Sequence, residues 1–195
     1  MLQLLGLVGF AFVSAGTPGP NNVLLWASGT AFGFRRTVPH IIGTAAGIAG
    51  MALAAGAGLA ALVAAVPVLG LLMRLVGSTY LVFLAWQIAH AGALTAGDSA
   101  RPMTLVEGAA FQLVNPKAWI FALGAVSTFR SPDLPPALGT VVVALVMVAV
   151  ILPAAGSWAA FGSILARFLE RERTRRIVNL ALAGLVLATV ALVWI

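Results

Sequence analysis

The sequence contains no cysteine, and only 8% of its 195 residues are charged. The absence of cysteine excludes disulfide bonds, thiol–disulfide relays and thiolate metal sites. The scarcity of charge excludes an ordinary soluble domain, because 62% of the residues are hydrophobic and long uncharged apolar runs need lipid around them. A mean hydropathy of +1.08 agrees with this. The sequence therefore predicts an all-α polytopic membrane protein.

Sequence patterns for enzyme chemistry are also missing. The sequence has no suggestive Ser–His pairing, no paired carboxylates, no phosphate-binding glycine-rich loop and no HExxH-like motif. Oxygen, Cys or His ligand clusters are missing from its apolar segments, so we predict neither a metal centre nor a cofactor. The net charge of +6 does not indicate nucleic-acid binding, because five of the eleven basic residues lie between 167 and 176, beside a predicted membrane helix.

Six apolar segments are long enough to cross a bilayer, which takes about 20 helical residues. A polar connector at 93–104 divides them into a first group of three, within residues 1–92, and a second group of three, within residues 105–195. The first run lacks a preceding basic region, which predicts a retained membrane helix rather than a cleaved signal peptide. The predicted segments are 2–29, 37–66, 68–91, 105–129, 137–166 and 177–195.

Basic residues are unequally distributed between the predicted loops. The loops after the first, third and fifth segments contain eight of them, whereas the opposite side has two. The positive-inside rule then places the three loops in the cytoplasm and both termini outside. Each half has three segments, an odd number, so the second half begins on the opposite side of the membrane from the first. If the two halves are related, they therefore form an inverted repeat. The eight residues are Arg35, Arg36, Arg101, Arg167, Arg171, Arg173, Arg175 and Arg176, and the two are Arg74 and Arg130.

Prolines interrupt the first segment of each half. Pro18 and Pro20 lie in the first half, and Pro116 lies in the second. A proline leaves the carbonyl four residues upstream without its helical partner. Such breaks are tolerated at membrane depth only where protein or water satisfies the freed groups. Two broken helices, one in each half, therefore predict a transport site between the halves.

The polar residues around these breaks suit a zwitterionic ligand. Asn21 and Asn22 follow Pro20 at a half-helix start, where unpaired amides attract a carboxylate. Lys117, about 18 Å into its segment, either contacts substrate or tethers freed carbonyls. The two asparagines either bind substrate or join the broken helix to its neighbours. The freed carbonyls offer hydrogen-bond acceptors to the ammonium group of a ligand. The predicted site residues are Ser14, Gly16, Pro18, Gly19, Pro20, Asn21, Asn22, Gln112, Asn115, Pro116 and Lys117.

Few other ionisable residues lie within the predicted segments. Glu107 is near the cytoplasmic end of the fourth, where it is either an interfacial residue or a proton carrier. His40 and His90 lie near the cytoplasmic ends of the second and third, and we interpret both as interfacial residues. Glu107 is therefore our candidate for proton coupling.

Three motifs together resemble those of the LysE/RhtB-type amino-acid exporters. They are Thr17–Asn22 (TPGPNN), Gly77–Leu81 with Ala85-Trp86, and Phe111–Ala118 (FQLVNPKA). The resemblance covers essentially the whole chain and implies an inner-membrane secondary carrier that exports amino acids or their derivatives, with protons as the coupling ion. Phe111-Gln112 and Ser127-Thr128-Phe129 look most similar to the cysteine and O-acetylserine branch.

The resemblance implies small neutral or polar substrates, such as cysteine and O-acetylserine or homoserine and threonine. A dedicated lysine or arginine exporter is disfavoured, because a second positive charge would lack a fixed intramembrane partner. A passive small-solute channel and a cation exporter of the same broad superfamily are the alternatives. The sequence is compatible with a homo-oligomer as well as with a monomer, in contact with the lipid bilayer.

Overall fold

Proline and glycine set several of the helix boundaries in the computed structural model. The structure describes residues 2–59, 65, 67–90, 101–166 and 172–194. Within these ranges the chain forms eight α-helices and no strand, which confirms the all-α prediction. Pro20, Pro116 and Pro136 each begin a helix, where the missing amide proton of proline costs no hydrogen bond. The helices are α1 Leu2–Gly16, α2 Pro20–Phe32, α3 Phe34–Ala54, α4 Pro67–His90, α5 Leu105–Val114, α6 Pro116–Phe129, α7 Pro136–Leu165 and α8 Glu172–Val193.

Both segments that the sequence predicted as broken are broken in the structure. The first divides into α1 and α2 around Pro18, and the second divides into α5 and α6 at Asn115. The backbone of Asn115 is extended, with φ −91° and ψ 105°, as expected for a residue that precedes proline. Gly33 then separates α2 from α3 with a φ of 80°, a conformation that favours glycine.

Three of the described helical stretches are long and apolar enough to cross a membrane, namely Phe34–Gly58, Pro136–Leu165 and Glu172–Ala191. Shorter apolar stretches occur at Gln3–Gly16, Arg74–Trp86 and Leu105–Val114. The helices α4 and α7 lie within one residue of the predicted segments, whereas α8 begins five residues earlier than predicted. The six-span arrangement therefore stays a prediction.

The second predicted segment differs from the structure near its end. After α3 the chain forms a π-helical turn, Ala55–Leu59, in which Gly58 has a φ of 107°. Residues 60–64 and 66, the last part of that segment, lie outside the described residues, as do residues 93–100 of the predicted connector. Between Ala55 and Leu59 the segment therefore departs from regular α-helix, and its extent to residue 66 stays a prediction.

The helices α3 and α7 form the centre of the bundle. They pack against each other, and α3 also packs along α5 while α7 packs along α1 and α2. A separate pair, α4 and α8, shares a smaller core with parts of α2 and α5. Large apolar side chains such as Phe12, Val106 and Ile120 point outward, as expected for a protein whose surrounding solvent is lipid.

Glycines allow the closest helix contacts. A Cβ atom on Gly29 of α2 would overlap the Ala159 carbonyl of α7, and one on Gly43 of α3 would overlap the Leu105 carbonyl of α5. Small residues at such positions let helix backbones approach each other directly. Each of these contacts joins a helix of the first predicted half to a helix of the second.

Candidate functional site

A small polar cavity lies where the two broken helices meet. Its volume is about 40 Å³, which is room for a few water molecules. The linkers and half-helices contribute its polar groups, and α3 and α7 complete its wall. The lining residues are Ser14, Ala15, Gly19, Asn21, Asn22, Thr44, Ile48, Gln112, Asn115, Lys117, Ala118, Phe121, Ile151 and Ala155.

Two helix N-termini border this cavity. Asn21 and Asn22 stand in the first turn of α2, where the backbone amides have no intrahelical acceptor. Lys117 has the same position in the first turn of α6. Among the described residues no side chain caps either terminus. Such ends present positive partial charge and amide donors to an anionic group.

The side chain of Asn21 joins the two halves through a buried hydrogen-bond network. Its Oδ1 accepts from Thr44 Oγ1 of α3 at 3.1 Å and from Gln112 Nε2 of α5 at 2.8 Å. The Gln112 Oε1 in turn accepts from Asn115 Nδ2 at 3.2 Å. The Oδ1 of Asn115 is buried and has no hydrogen-bond partner in the part of the chain that the structure describes.

Lys117 bridges the two breaks. Its ammonium group donates to the Thr17 carbonyl at 2.7 Å, the Thr17 hydroxyl at 2.8 Å and the Pro18 carbonyl at 3.3 Å. A Cβ atom on Gly19 would lie 2.8 Å from Lys117 Cδ, so glycine at this position leaves room for the lysine stem. The sequence left open whether Lys117 contacts substrate or tethers freed carbonyls. In this conformation it acts as a tether, because all three N–H donors of its ammonium group are used by the linker.

Two of the carbonyls that the sequence predicted to be free each accept one hydrogen bond in the structure. The Ser14 carbonyl already accepts from the Thr17 hydroxyl, and the Gln112 carbonyl accepts from the Asn115 amide. Asn22 is occupied in the same way, because its Nδ2 donates to the carbonyls of Ala15 and Thr17, both at 2.8 Å. The side-chain oxygen of Asn115, a residue in the cavity wall, is a buried acceptor that has no partner among the described residues.

The predicted site residues thus divide into two groups. Ser14, Gly19, Asn21, Asn22, Gln112, Asn115 and Lys117 line the cavity, whereas Gly16, Pro18, Pro20 and Pro116 shape the breaks beside it. The residues of α3 and α7 that line the cavity were not predicted from the sequence. Thr44 could have been found as a hydroxyl within an apolar helix, but Ile48, Ile151 and Ala155 carry no such signal.

Glu107 is engaged at the start of α5 and does not line this cavity. It forms a capping box with Thr104, with the Thr104 amide donating to Glu107 Oε2 at 2.8 Å and the Glu107 amide donating to Thr104 Oγ1 at 3.2 Å. Its carboxylate also forms an ion pair with Arg101, in which Nη1 lies 2.7 Å from Oε2. These contacts give Glu107 a structural role at the beginning of the helix.

His40 is not the interfacial residue that its sequence position predicted. Its side chain is fully buried, with 0% exposure, because Gly108 of α5 lets that helix pack directly against it. The side chain of His90, at the end of α4, lies outside the described atoms.

The helical breaks, the apolar exterior and the polar cavity are features of a membrane transporter, and the comparison with known families agrees. The family profile for the LysE type translocator matches residues 2–195. The chain belongs to the LysE type translocator family. LysE-type translocators are integral membrane transport proteins rather than enzymes. The resemblance seen in the sequence is thereby confirmed.

Several curated proteins are similar to this LysE-type chain. A cysteine/O-acetylserine efflux protein of Escherichia coli O139:H28 (strain E24377A / ETEC) is 34% identical over 180 residues, which cover 91% of this chain and 90% of that protein. Proteins of the same name from Escherichia coli (strain K12) and Shigella flexneri are 34% identical over 125 residues, or 64% of each chain. No solved structure matches the chain.

Proposed function

We propose that this LysE-type translocator exports small neutral amino acids, of the class of cysteine and O-acetylserine, across a bacterial-type inner membrane. The names of its similar relatives support the substrate class. The absence of an acidic side chain among the described residues that line the cavity supports a neutral rather than a cationic substrate.

The observation that carries the proposal is the pairing of donors and acceptor around one cavity. The uncapped amides at the start of α2, in Asn21 and Asn22, suit a carboxylate. The buried Asn115 Oδ1, which lacks a partner among the described residues, suits an ammonium group. An amino acid carries both groups on one carbon, so a single molecule can satisfy both sides of the cavity.

Transport then requires the cavity to change size. A volume of about 40 Å³ is too small for an amino acid, so we refer to the present conformation as closed to substrate. We propose that residues 1–92 and 105–195 act as inverted repeats, that both termini are periplasmic, and that the halves rock to expose the cavity to each side in turn. The glycine contacts of α2 with α7 and of α3 with α5 are the interfaces that such rocking would open.

The test of this function is the release of amino acids from cells. Intracellular and extracellular amino acids are measured by mass spectrometry in cells with the protein and in vector controls, with and without a protonophore. We expect selective release of cysteine or O-acetylserine that the protonophore abolishes. Release that persists with the protonophore and only follows the gradient would indicate a channel, and unchanged amino-acid profiles would contradict the proposal.

Proton coupling through Glu107 can be tested separately. The Glu107→Gln variant keeps a side chain that supports a capping box but loses the ion pair with Arg101. Because this ion pair is exposed, we expect proton-driven uptake into inverted vesicles to stay within about twofold of wild type. Asp133→Asn, in the exposed turn before α7, is the matched control. Selective loss of coupling in Glu107→Gln would instead establish Glu107 as the proton carrier.

A further inference from the structure

The imidazole of His40 is buried without a partner. Its side chain has 0% exposure, and among the described residues neither Nδ1 nor Nε2 has a hydrogen-bond partner. Buried polar side chains are normally paired, and an unpaired one has a cost that calls for an explanation. No step in the substrate site described above uses this ring.

His40 lines a second cavity, separate from the substrate cavity, with a volume of about 260 Å³. Ser28 of α2, Arg101 and Asn179 of α8 also line it. The space is large enough to admit water, and these three residues bring polar groups to an otherwise mostly apolar wall. Arg36 and Arg101 lie on this side of the bundle. Both belong to the loops that the positive-inside rule predicts to be cytoplasmic, so the cavity faces the predicted cytoplasmic side.

A run of polar side chains leads from the backbone carbonyl of His40 to the substrate cavity. Thr44 lies one turn after His40 on α3, and its hydroxyl is 3.0 Å from the His40 carbonyl and 3.1 Å from Asn21 Oδ1. Gln112 continues the run from Asn21, and its Nε2 also donates to the Gly108 carbonyl, beside the imidazole, at 3.0 Å. His40 therefore stands between the two cavities and touches both α3 and α5, which belong to different halves.

The charges around this ring are few. Arg101 is paired with Glu107, so together they bring no net charge to the cavity. Arg36, one turn earlier on α3, is exposed and lies over the Phe32 ring. Among the described residues that line the cavity, His40 is thus the histidine, the residue type that most readily carries protons in proteins near neutral pH. The remaining neighbours are uncharged, namely Ser28 of α2, Leu84 and Ile88 of α4, Gly108 of α5 and Asn179 of α8.

We propose that His40 is the proton carrier that couples amino-acid export to proton entry, an inference that rests on the proposed function. The neutral ring takes a proton from water on the substrate side and later returns it to water in the cytoplasmic cavity, so one proton crosses and no other bond changes. An imidazolium has two N–H donors that need acceptors, and the closed arrangement offers none among the described residues. Protonation therefore favours a conformation in which water reaches the ring, which links proton binding to movement between the halves.

The first experiment separates coupling from substrate movement in proteoliposomes. Vesicles with an acidic interior are given external labelled cysteine, and accumulation against the gradient is compared with exchange of cysteine at equal pH. We expect His40→Gln to lose accumulation while exchange continues at the wild-type rate. His90→Gln, which changes the chain's only other histidine, serves as the matched control and should keep both activities.

Two outcomes would overturn the proposal. One is undiminished accumulation in His40→Gln, and the other is loss of exchange together with accumulation in a monodisperse protein, which would give His40 a role in substrate movement itself. If wild-type protein shows neither activity with any amino acid, the proposed function fails instead, so the two failures are distinguishable.

A spectroscopic measurement covers the case in which His40→Gln does not fold. The His90→Gln variant, purified with a tag that contains no histidine, has a single imidazole whose ¹⁵N NMR signals belong to His40. We expect these signals to change with pH, and the pH at which half of the change has occurred to shift when cysteine saturates the protein. Signals that stay unchanged with pH and with substrate would overturn the proposal.

Discussion

Replacing Lys117 by methionine is expected to reduce export at least about tenfold, because each hydrogen bond to a charged group contributes about 1.5–3 kcal/mol and 1.4 kcal/mol corresponds to a factor of ten. The ammonium group makes three such bonds across the two breaks, to Thr17 and Pro18. Methionine keeps an unbranched stem of four heavy atoms but has no terminal ammonium group, so the charge and the three donors are lost. Export is measured as initial rate at equal amounts of protein in the membrane.

This prediction has two controls, one at the end of the same helix and one at position 117 itself. Arg130→Met removes a cation at the exposed end of α6 and should leave export unchanged. The Lys117→Arg variant keeps the charge but changes the shape of the donor group, so we expect intermediate rates. Wild-type export by Lys117→Met would contradict the placement of the site between the broken helices.

The kinetics of the same variants distinguish the two roles of Lys117. A lysine that only tethers the α1–α2 linker would affect the movement of the halves, and its loss would lower kcat. A lysine that also holds the substrate carboxylate would, when lost, raise KM. Since all three ammonium protons are used by the linker in the closed conformation, we expect the larger change in kcat.

The second large effect is expected for Gly29→Ala at the contact between α2 and α7. The added methyl group would overlap the Ala159 carbonyl, and a backbone atom cannot rotate away as a side chain can. Overpacking of this kind costs about 1–3 kcal/mol, and each kcal/mol lowers Tm by roughly 2–4 °C for a chain of this size. We therefore expect a clear decrease in Tm of the purified protein, together with reduced export.

The control is Gly50→Ala in α3, where a Cβ atom would meet no atom of another described element within 4 Å. Because alanine also has the higher helix propensity, this variant should be as stable as wild type or slightly more so. Equal Tm values for Gly29→Ala and Gly50→Ala would contradict the close packing of α2 on α7.

The broken helices could be predicted from sequence because their cause is local. Pro20 and Pro116 interrupt helical hydrogen bonding wherever they occur, and the structure breaks at both. The polar side chains beside them, Asn21 and Lys117, are costly in apolar segments unless they find polar partners or water, and the two breaks supply both. Most of the residues predicted for the site therefore line it.

The rest of the site depends on three-dimensional packing that the sequence does not encode locally. The helix α7 is apolar all round, so Ile151, which lines the cavity, cannot be told from Leu145, which faces outward. His40 lies near a helix end and was expected at the interface, but Gly108 on a distant segment lets α5 cover it. The Ser14 carbonyl, which was expected to be free, accepts a hydrogen bond from the nearby Thr17 hydroxyl, a contact that the broken-helix argument did not include.

The measurement that tests the account most directly is competition for labelled cysteine exchange in vesicles that contain the purified protein. O-acetylserine is compared with two cysteine analogues, one without the carboxylate (cysteamine) and one without the amino group (3-mercaptopropionate). If the uncapped amides of α2 hold the carboxylate and Asn115 holds the ammonium group, O-acetylserine competes and both analogues fail. Equal competition by either analogue, or no cysteine exchange above that of empty vesicles, would contradict an amino-acid site between the broken helices.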